Sequence, residues 1–194
     1  LSEDTCGFRS RAIDWDQVGF RASGNLFAAA DPVHQMAREL ASMRIRVASE
    51  TDIGEMHRIR MQVRENRLLD PARIQPSDYR RKLTIDGRGW VAEISDRVVG
   101  FAVADRSGAN IWALFVEPEF EGLGVGRALH DRMVGWLFES GAGLLWLSTD
   151  PGTRAQRFYE AAGWRRAGLQ GTELRFELSS QHWHPIAGDR VLHG

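Results

Sequence analysis

The stretch FVEPEFEGLGVGRALHD, residues 115–131, decides the fold prediction for this chain. It leads from the apolar strand pattern IWALFVE through Gly122, Gly124 and Gly126 into a predicted helix. Glycine is unfavourable at an ordinary helix start, because it loses more backbone freedom than any other residue. A strand, a glycine-rich turn and a helix in this order are typical of phosphate binding, since backbone N–H groups converge at the positive end of the helix dipole.

Several alternatives compete for this turn. A P-loop needs Lys and then Ser or Thr after its last glycine, and Arg127 and Ala128 stand there, so that motif is excluded. A dinucleotide-binding G-x-G-x-x-G needs a small residue where Arg127 and Leu129 lie, although Asp150 ends the next strand as a ribose-binding acid would. A tight turn that needs glycine for backbone torsion alone is the third alternative. The flanking sequence has to decide between them.

Charge and cysteine content limit the function classes. The chain has 25 basic and 26 acidic side chains, so no overall field attracts nucleic acid or an anionic membrane. The single cysteine, Cys6, rules out an internal disulfide and a cysteine-rich zinc site, and it favours a reducing compartment. No apolar run approaches the roughly 20 residues of a membrane-spanning helix. We therefore expect a cytoplasmic protein with a small ligand and with neither nucleic-acid nor membrane partners.

The pattern divides the chain into three segments. Residues 1–42 show little periodicity and are predicted to be an N-terminal extension, or to lie upstream of a true start at Met43. Residues 43–178 carry a regular pattern and are predicted to form one domain. Residues 179–194 are predicted to be a C-terminal tail without a clear period. His182 and His184 in this tail have the spacing of a chelating pair, but no third ligand is evident, and we predict no metal.

Hydrophobic periodicity predicts an α/β domain. Strands are predicted at MRIRVAS, WVAEIS, VVGFAVA, IWALFVE and LLWLSTD, and as a last pair that turns around Gly171. Helices are predicted after SETD and at SDYRRKLTI, GRALHDRMVGWLFESG and TRAQRFYEAAGW. The second helix is expected to end near a DGRG turn at residues 86–89.

Two residue sets receive a default structural interpretation. The arginines of the first helix are expected to form a solvated face, with substrate recognition as the alternative; they are Arg58, Arg60, Arg64 and Arg67. Most of the seven tryptophans are expected to lie in the core, and Trp112 is the one singled out as a candidate pocket wall.

Three passages together resemble the GNAT superfamily of N-acetyltransferases. EGLGVG aligns with the family's pyrophosphate loop, Gln/Arg-x-x-Gly-x-Gly/Ala, with Glu121 at the first position. LFVEPEFEGLGVGRALHD is similar to the strand-to-loop passage with its Val-x-Pro, and GTRAQRFYEAAGWRRAG to the later helix with its Tyr and Gly-Phe or Gly-Trp. WVAEISDRVVGFAVA resembles the hairpin before them. The resemblance implies a mixed, mostly antiparallel twisted sheet of about seven strands flanked by about four helices, with splayed central strands.

The resemblance also implies acetyl-CoA as co-substrate. Backbone amides of the glycine turn would hold its pyrophosphate, and its pantetheine arm would lie between the two splayed strands. Arg127 would add a charge-assisted contact, or else be an ordinary exposed arginine. The residues implied in binding acetyl-CoA are Phe115, Val116, Glu121, Gly122, Leu123, Gly124, Val125, Gly126, Arg127, Ala155 and Phe158.

Catalytic roles follow from the same resemblance. Tyr159 matches the family's general acid, whose ordinary pKa near 10 against roughly 8.5 for a thiol allows it to protonate the departing thiolate; its alternative role is packing alone. A backbone N–H at Phe115 or Val116 would polarise the thioester carbonyl. Glu117 is the candidate general base. The rival carboxylates are Glu93, Asp105 and Asp150.

The predicted function is acetyl transfer from acetyl-CoA to the primary amine of a small molecule by direct attack. Two alternatives stay open: a protein N-acetyltransferase, and a non-catalytic acyl-CoA-binding sensor or regulatory module. The acceptor pocket is expected to be built by the helices near residues 52–85, and the sequence does not identify the acceptor. A homodimer is implied by family habit alone.

Overall fold

The computed structural model describes residues 42–63 and 74–184, together with Leu40. The strands are β1 (Arg44–Val47), β2 (Gly87–Ile94), β3 (Arg97–Asp105), β4 (Asn110–Val116), β5 (Leu144–Thr149), β6 (Arg165–Gln170) and β7 (Glu173–Ser179). The α-helices of this part of the chain are α1 (Ile53–Gln62), α2 (Pro76–Arg81), α3 (Val125–Glu139) and α4 (Arg154–Ala161).

The strands form one mixed sheet in the spatial order β1-β2-β3-β4-β5-β7-β6. Only β4 and β5 are parallel, and every other neighbouring pair is antiparallel. A parallel pair needs a long crossover, which α3 supplies between β4 and β5. The predicted fold class, a mostly antiparallel seven-stranded sheet with flanking helices, is confirmed.

Different helices cover the two faces of this sheet. Met56 and Ile59 of α1 and Tyr79 of α2 are buried against one face, with Phe101 of β3 at the centre of that cluster. The helices α3 and α4 cover the other face through buried side chains that include Leu129, Met133, Leu137, Tyr159 and Trp164. Each fully buried aliphatic side chain contributes about 1.5–3 kcal/mol relative to exposure. The two cores fix both sides of the central strands.

The hairpin predicted between β2 and β3 is confirmed, with its turn shifted by one residue. The turn consists of Ser95 and Asp96, and Arg97 already belongs to β3. Ser95 and Asp96 both have positive φ, 50° and 62°. This is the combination that a two-residue type I′ turn requires to match the twist of the strands.

The turn predicted at residues 86–89 is wrong, because Gly87–Gly89 begin strand β2. A π-helical turn, Lys82–Asp86, continues α2 and delivers the chain directly to the strand. A β-carbon at Gly87 would clash with the carbonyl oxygen of Ala104 on β3. Glycine therefore stands at this position for the close approach of two strands.

The central strands β4 and β5 diverge, as predicted. They pair at a single position, Asn110 with Trp146. Trp112 forms a β-bulge in β4, because Ala104 opposes Ile111 while Val103 opposes Ala113. A bulge bends its strand and increases the local twist. The beginning of β4 therefore stays beside β5, and the rest of the strand opens a gap.

The folded unit continues beyond the predicted domain end at residue 178. Ser179 completes β7, and the Trp183 ring packs on Phe138 of α3 at a centroid distance of 5.5 Å. Most of the predicted N-terminal extension and residues 185–194 lie outside the described residues. In the described part of the chain, no helix has the length and apolar character needed to cross a membrane.

Candidate active site

A pocket of about 390 Å³ occupies the gap between β4 and β5. Its walls are residues of β4 and β5, the start of α4, and single residues from the end of α1 and from the glycine turn. They are Val63, Ile111, Trp112, Ala113, Leu114, Phe115, Val116, Glu121, Leu147, Ser148, Thr149, Thr153, Arg154, Ala155 and Tyr159. Since the strands do not pair here, the facing edge of β4 can offer backbone groups to a ligand.

The backbone amide of Val116 faces this gap. Glu117 N–H donates to the Val99 carbonyl of β3 over 2.8 Å. Alternate residues of a strand direct their N–H groups to the same side, so Phe115 N–H also points to β3. The N–H groups of Leu114 and Val116 point the other way, toward the gap. Of the two amides predicted to polarise a carbonyl, Val116 thus has the suitable orientation.

The glycine turn at one end of the gap has a left-handed backbone. Gly122 has φ 78° and Gly124 has φ 87°, and Gly124 is the N-cap of the 15-residue helix α3. A β-carbon on either residue would meet no protein atom within 4 Å. These glycines therefore satisfy backbone torsion and leave open space beside the helix N-terminus, where N–H groups lack intrahelical partners.

Charged side chains surround the turn in pairs. Glu121 forms an ion pair with Arg154 at the start of α4. Arg127 forms one with Asp131, one helical turn further along α3, over 2.9 Å. Sequence reasoning missed Arg154, since an arginine at a helix start has no distinctive pattern. Both guanidinium groups lie near the turn and remain partly exposed.

Tyr159 of α4 lines the pocket from the face of the sheet that α3 and α4 cover, and it is 7% exposed. Its ring packs edge-on against Phe158 and Trp164 at centroid distances of 5.2 and 5.7 Å. Burial raises the pKa of the Tyr159 hydroxyl above its ordinary value. In the described residues, this hydroxyl donates no hydrogen bond to another protein group. It is therefore protonated at neutral pH and available to a ligand.

Three other residues predicted to bind acetyl-CoA have different surroundings in the structure. Ala155 lines the pocket, one turn before Tyr159. Phe158 does not line it, because its ring packs on His130 of α3 at 5.5 Å. The side chain of Val125 is fully buried in the core, so only its backbone can serve a ligand. The remaining predicted contacts of the glycine turn stay predictions.

Glu117 lies at the end of β4 and is 1% exposed. Its carboxylate accepts hydrogen bonds from Arg58 of α1 and from Arg97 of β3, the latter over 2.6 Å. Both carboxylate oxygens are therefore occupied by guanidinium groups, Oε1 by Arg58 and Oε2 by Arg97. The geometry favours a structural role for Glu117, and its role as a base stays a prediction.

Two rival carboxylates are also engaged. Glu93 accepts from Arg44 and Arg46, each over 2.7 Å. Asp105 accepts from Lys82 over 2.6 Å. Hydrogen bonds lower the pKa of Glu93, with Arg44 as the main cause. The Glu93 contacts join β1 to β2, the Asp105 contact joins the π-helical turn to β3, and neither carboxylate lines the pocket.

The expectation of a solvated arginine face is wrong for Arg60, which is 8% exposed. Its guanidinium lies 4.0 Å from the centroid of the Phe115 ring. Arg60 occupies the apolar stripe of α1, seven residues after Ile53 and four after Met56. That spacing was the available signal. Arg64 and Arg67 lie outside the described residues.

Trp112 lines the pocket, in agreement with its selection as a candidate wall. Thr149 of β5 was not singled out; it is 2% exposed, and its Oγ1 is buried without a hydrogen-bond partner in the described residues. In the tail, His182 Nδ1 lies 2.6 Å from Ser179 Oγ. Among residues 42–63 and 74–184, no three potential metal ligands cluster.

The chain is similar to known proteins in both sequence and fold. The family model described as Acetyltransferase (GNAT) family matches residues 53–164. Ard1 from Thermoplasma volcanium is similar at 23% identity and a TM-score of 0.59, over 71% of this chain and 97% of that one. The ribosomal-protein-S18-alanine N-acetyltransferase from Escherichia coli is similar at 17% and 0.60, over 78% and 99%.

A third solved structure, the PaiA N-acetyltransferase from Thermoplasma acidophilum in complex with coenzyme A, is similar at 13% identity and a TM-score of 0.61, over 71% of this chain and 99% of that one. At these identities, the solved structures show a common fold. No protein of curated function matches the chain.

Proposed function

Because this chain belongs to the GNAT family of acetyltransferases, we propose that it transfers the acetyl group of acetyl-CoA to the primary amine of a small molecule by direct attack. One arrangement carries the proposal. The gap between β4 and β5 has an inward-facing amide on one wall, Tyr159 on another, and the glycine turn at its end. These are the groups that acyl transfer from a phosphate-bearing thioester requires.

The glycine turn suits the pyrophosphate of coenzyme A. A β-carbon on Gly122 or Gly124 would fill space that no protein atom occupies. The N–H groups at the start of α3 are donors there, and the helix dipole favours a negative ligand. Arg127 and Arg154 supply positive charge nearby. This local arrangement explains how a nearly neutral chain can bind a strongly anionic ligand.

Val116 is assigned to the thioester carbonyl. Its N–H would donate to the carbonyl oxygen and stabilise the negative charge that develops there when the amine attacks. The strand holds this donor in place before the reaction, so little reorganisation is needed. Removing one such donor typically costs about 10²–10³ in kcat.

Tyr159 is assigned to the departing sulfur. The amine nitrogen forms the new C–N bond, the C–S bond breaks with its electron pair on sulfur, and the Tyr159 hydroxyl gives that sulfur its proton. Burial raises the pKa of Tyr159 and so keeps this proton in place at neutral pH. The proton lost by the amine goes to water, and solvent reprotonates the tyrosine. We assign no side-chain base, since Glu117 is held by two arginines.

The test is CoA release from acetyl-CoA over a panel of amines, followed with a thiol reagent and with amine-free protein as control. Cys6 adds at most a stoichiometric background. Turnover that depends on a small amine would support the proposal. Turnover with peptides alone would indicate a protein N-acetyltransferase. Tight acetyl-CoA binding without turnover on any amine or peptide would overturn the transferase and indicate a sensor.

A further inference from the structure

Arg60 is a buried cation with no anionic partner among the described residues. Its side chain leaves α1 toward the sheet, and its guanidinium stacks on the Phe115 ring. Two of its nitrogens, Nε and Nη1, are buried and make no hydrogen bond within the described residues. Burial lowers the pKa of this guanidinium from its ordinary value, yet an arginine still remains charged in a protein.

Burying the Arg60 guanidinium in this way lowers the stability of the folded protein. Buried charges are normally paired and hydrogen-bonded, and a donor left unsatisfied costs its full desolvation penalty. The cation–π contact with Phe115 offsets part of that cost, but Nε and Nη1 have no acceptor among the described residues. Arg58, two residues earlier on the same helix, shows the ordinary solution, since it pairs with Glu55 and Glu117.

Arg60 packs directly behind the wall of the proposed active site, through its contact with Phe115. Phe115, on which it stacks, lines the pocket and is adjacent to Val116. Val63, one turn after Arg60 on the same side of the chain, also lines the pocket. The glycine turn lies at the N-terminus of α3, and α3 covers the opposite face of the sheet. Arg60 therefore borders the part of the pocket that α1 covers.

A second polar group of α1 is in the same condition. His57 precedes Arg60 by one helical turn, and its Nδ1 is buried without a partner in the described residues. Side chains three residues apart on a helix are neighbours. Buried polar groups are normally hydrogen-bonded, so two such groups one turn apart without partners in the described residues are consistent with a polar ligand that completes the hydrogen bonds.

We propose that Arg60 binds a carboxylate of the acetyl acceptor, so that the substrate is an amine that also carries a carboxylate, an amino acid or a close relative of one. The inference rests on the acetyltransferase function proposed above. A planar guanidinium matches a carboxylate in a bidentate pair, and exclusion of water strengthens that pair. The same buried positive charge disfavours polyamines and aminoglycosides, because a cationic acceptor would be repelled.

The experiment compares an amino acid with its own carboxamide as acceptor. For the protein without substitutions, kcat/KM should be higher for the acid by about tenfold or more, because a site built to pair a group discriminates against an analogue that lacks it. In Arg60→Met that preference should vanish, because the KM for the acid should rise toward the KM for the carboxamide. Arg60→Lys keeps the charge, loses the fork geometry, and should retain only part of the preference.

Arg80→Met is the matched control, because Arg80 lies on α2, is exposed, and pairs with Glu50 away from the pocket. Its acid preference should equal that of the unsubstituted protein. Arg60→Met should also remain folded, with a thermal midpoint no lower than before, since it removes an unpaired buried charge. If Arg60→Met does not fold, the acid and the carboxamide are compared with Arg60→Lys instead.

A binding measurement separates this inference from the proposed function. An N-acetyl amino acid and its carboxamide are titrated by calorimetry in the presence of CoA, which needs no turnover. Tighter binding of the acid that depends on Arg60 supports the carboxylate site even if no amine is acetylated. Equal affinity for acid and carboxamide, or an acid preference unchanged in both Arg60 variants, overturns it while leaving amine acetylation intact.

Discussion

The indole N–H of Trp164 donates a hydrogen bond to Nε2 of His130 over 2.9 Å, inside the core between α3 and α4. His130 is fully buried, and its Nδ1 lies 2.7 Å from the Asp131 carboxylate. Since Nε2 accepts, the ring proton must sit on Nδ1 and point at Asp131. This contact ties the helix that begins at the glycine turn to the end of the helix that carries Tyr159.

Stability should fall at mildly acidic pH because of His130. Burial lowers the pKa of His130 below its ordinary 6.5 in the folded state, so the unfolded chain binds the proton more tightly. The contribution is fully present above pH 6.5 and is lost as pH falls toward the folded-state pKa. Protonation would also place two donors, the Trp164 N–H and the new Nε2–H, against each other.

This pH dependence is tested by measuring thermal unfolding midpoints from pH 5 to 8 for the unsubstituted protein, His130→Gln and His184→Gln. His184 is exposed and serves as the matched control. We expect a midpoint that declines below pH 6.5 in the unsubstituted protein and in His184→Gln, and a flatter profile in His130→Gln. The same profile in all three proteins would contradict the assignment.

Gly124→Ala should weaken acetyl-CoA binding. The new β-carbon would enter the concavity proposed for the pyrophosphate, and the φ of 87° would cost about 1–2 kcal/mol of stability as well. Gly141→Ala separates the two effects. Gly141 follows the other end of the same helix with φ 95°, and a β-carbon there also meets nothing.

Both variants should lose similar stability in denaturant unfolding. Only Gly124→Ala should raise the Kd for acetyl-CoA measured by calorimetry, by about tenfold, the loss of roughly one backbone contact to a charged group. Equal affinity in the two variants would count against the glycine turn as the pyrophosphate site.

Tyr159→Phe should lower kcat by about 10²-fold or more while leaving the Kd for acetyl-CoA nearly unchanged. The substitution keeps the buried ring and removes only the proton donor. Tyr79→Phe is the control, since Tyr79 is the other tyrosine, is buried, and does not line the pocket. Steady-state kinetics and calorimetry provide both numbers, and an undiminished kcat would leave Tyr159 with packing alone.

The pH profile gives a second check on Tyr159. Burial raises the pKa of its hydroxyl, so the acid form persists to higher pH than in an exposed tyrosine. We expect kcat to show no decline between pH 8 and 10 that depends on Tyr159. A decline that is present before substitution and absent in Tyr159→Phe would contradict the direction of this shift.

Glu117→Gln should destabilise the fold more than it impairs the chemistry. It removes the charge that Arg58 and Arg97 share, and because both arginines are partly exposed we expect a loss of roughly 1–3 kcal/mol. Glu119→Gln, at an exposed neighbour, should change stability little. A normal unfolding free energy with a kcat reduced 100-fold would restore Glu117 as the base, by the scale of general-base effects.

The sequence predicted the features that depend on hydrophobic periodicity and on motif spacing. Alternating and helical patterns placed the strands and helices, and the glycine spacing after an apolar strand marked the turn before α3. The pocket depends on the bulge at Trp112, which comes from one extra residue in β4. A bulge leaves the composition of its strand unchanged, so this detail had no local signal.

The two errors have different origins, a contact distant along the chain for Gly87 and a charge weighed above helical position for Arg60. Gly87 has the appearance of a turn residue, but it is a point of close approach to Ala104, which is 17 positions away in the numbering. Arg60 was assigned by its charge, although its position in the helical period predicted burial. The role of Glu117 as a base stays a prediction, and its contacts with Arg58 and Arg97 are not visible in the sequence.

The most direct test of the central claim is acceptor-dependent CoA release from acetyl-CoA, measured in parallel for the unsubstituted protein and Tyr159→Phe. The account predicts multiple turnovers that require an amine, with the acetylated amine identified by mass, and a kcat lower by about 10²-fold or more in the variant. Binding of acetyl-CoA with no amine-dependent release of CoA would contradict the transferase function. Equal turnover in the two proteins would contradict the role of Tyr159 as the acid.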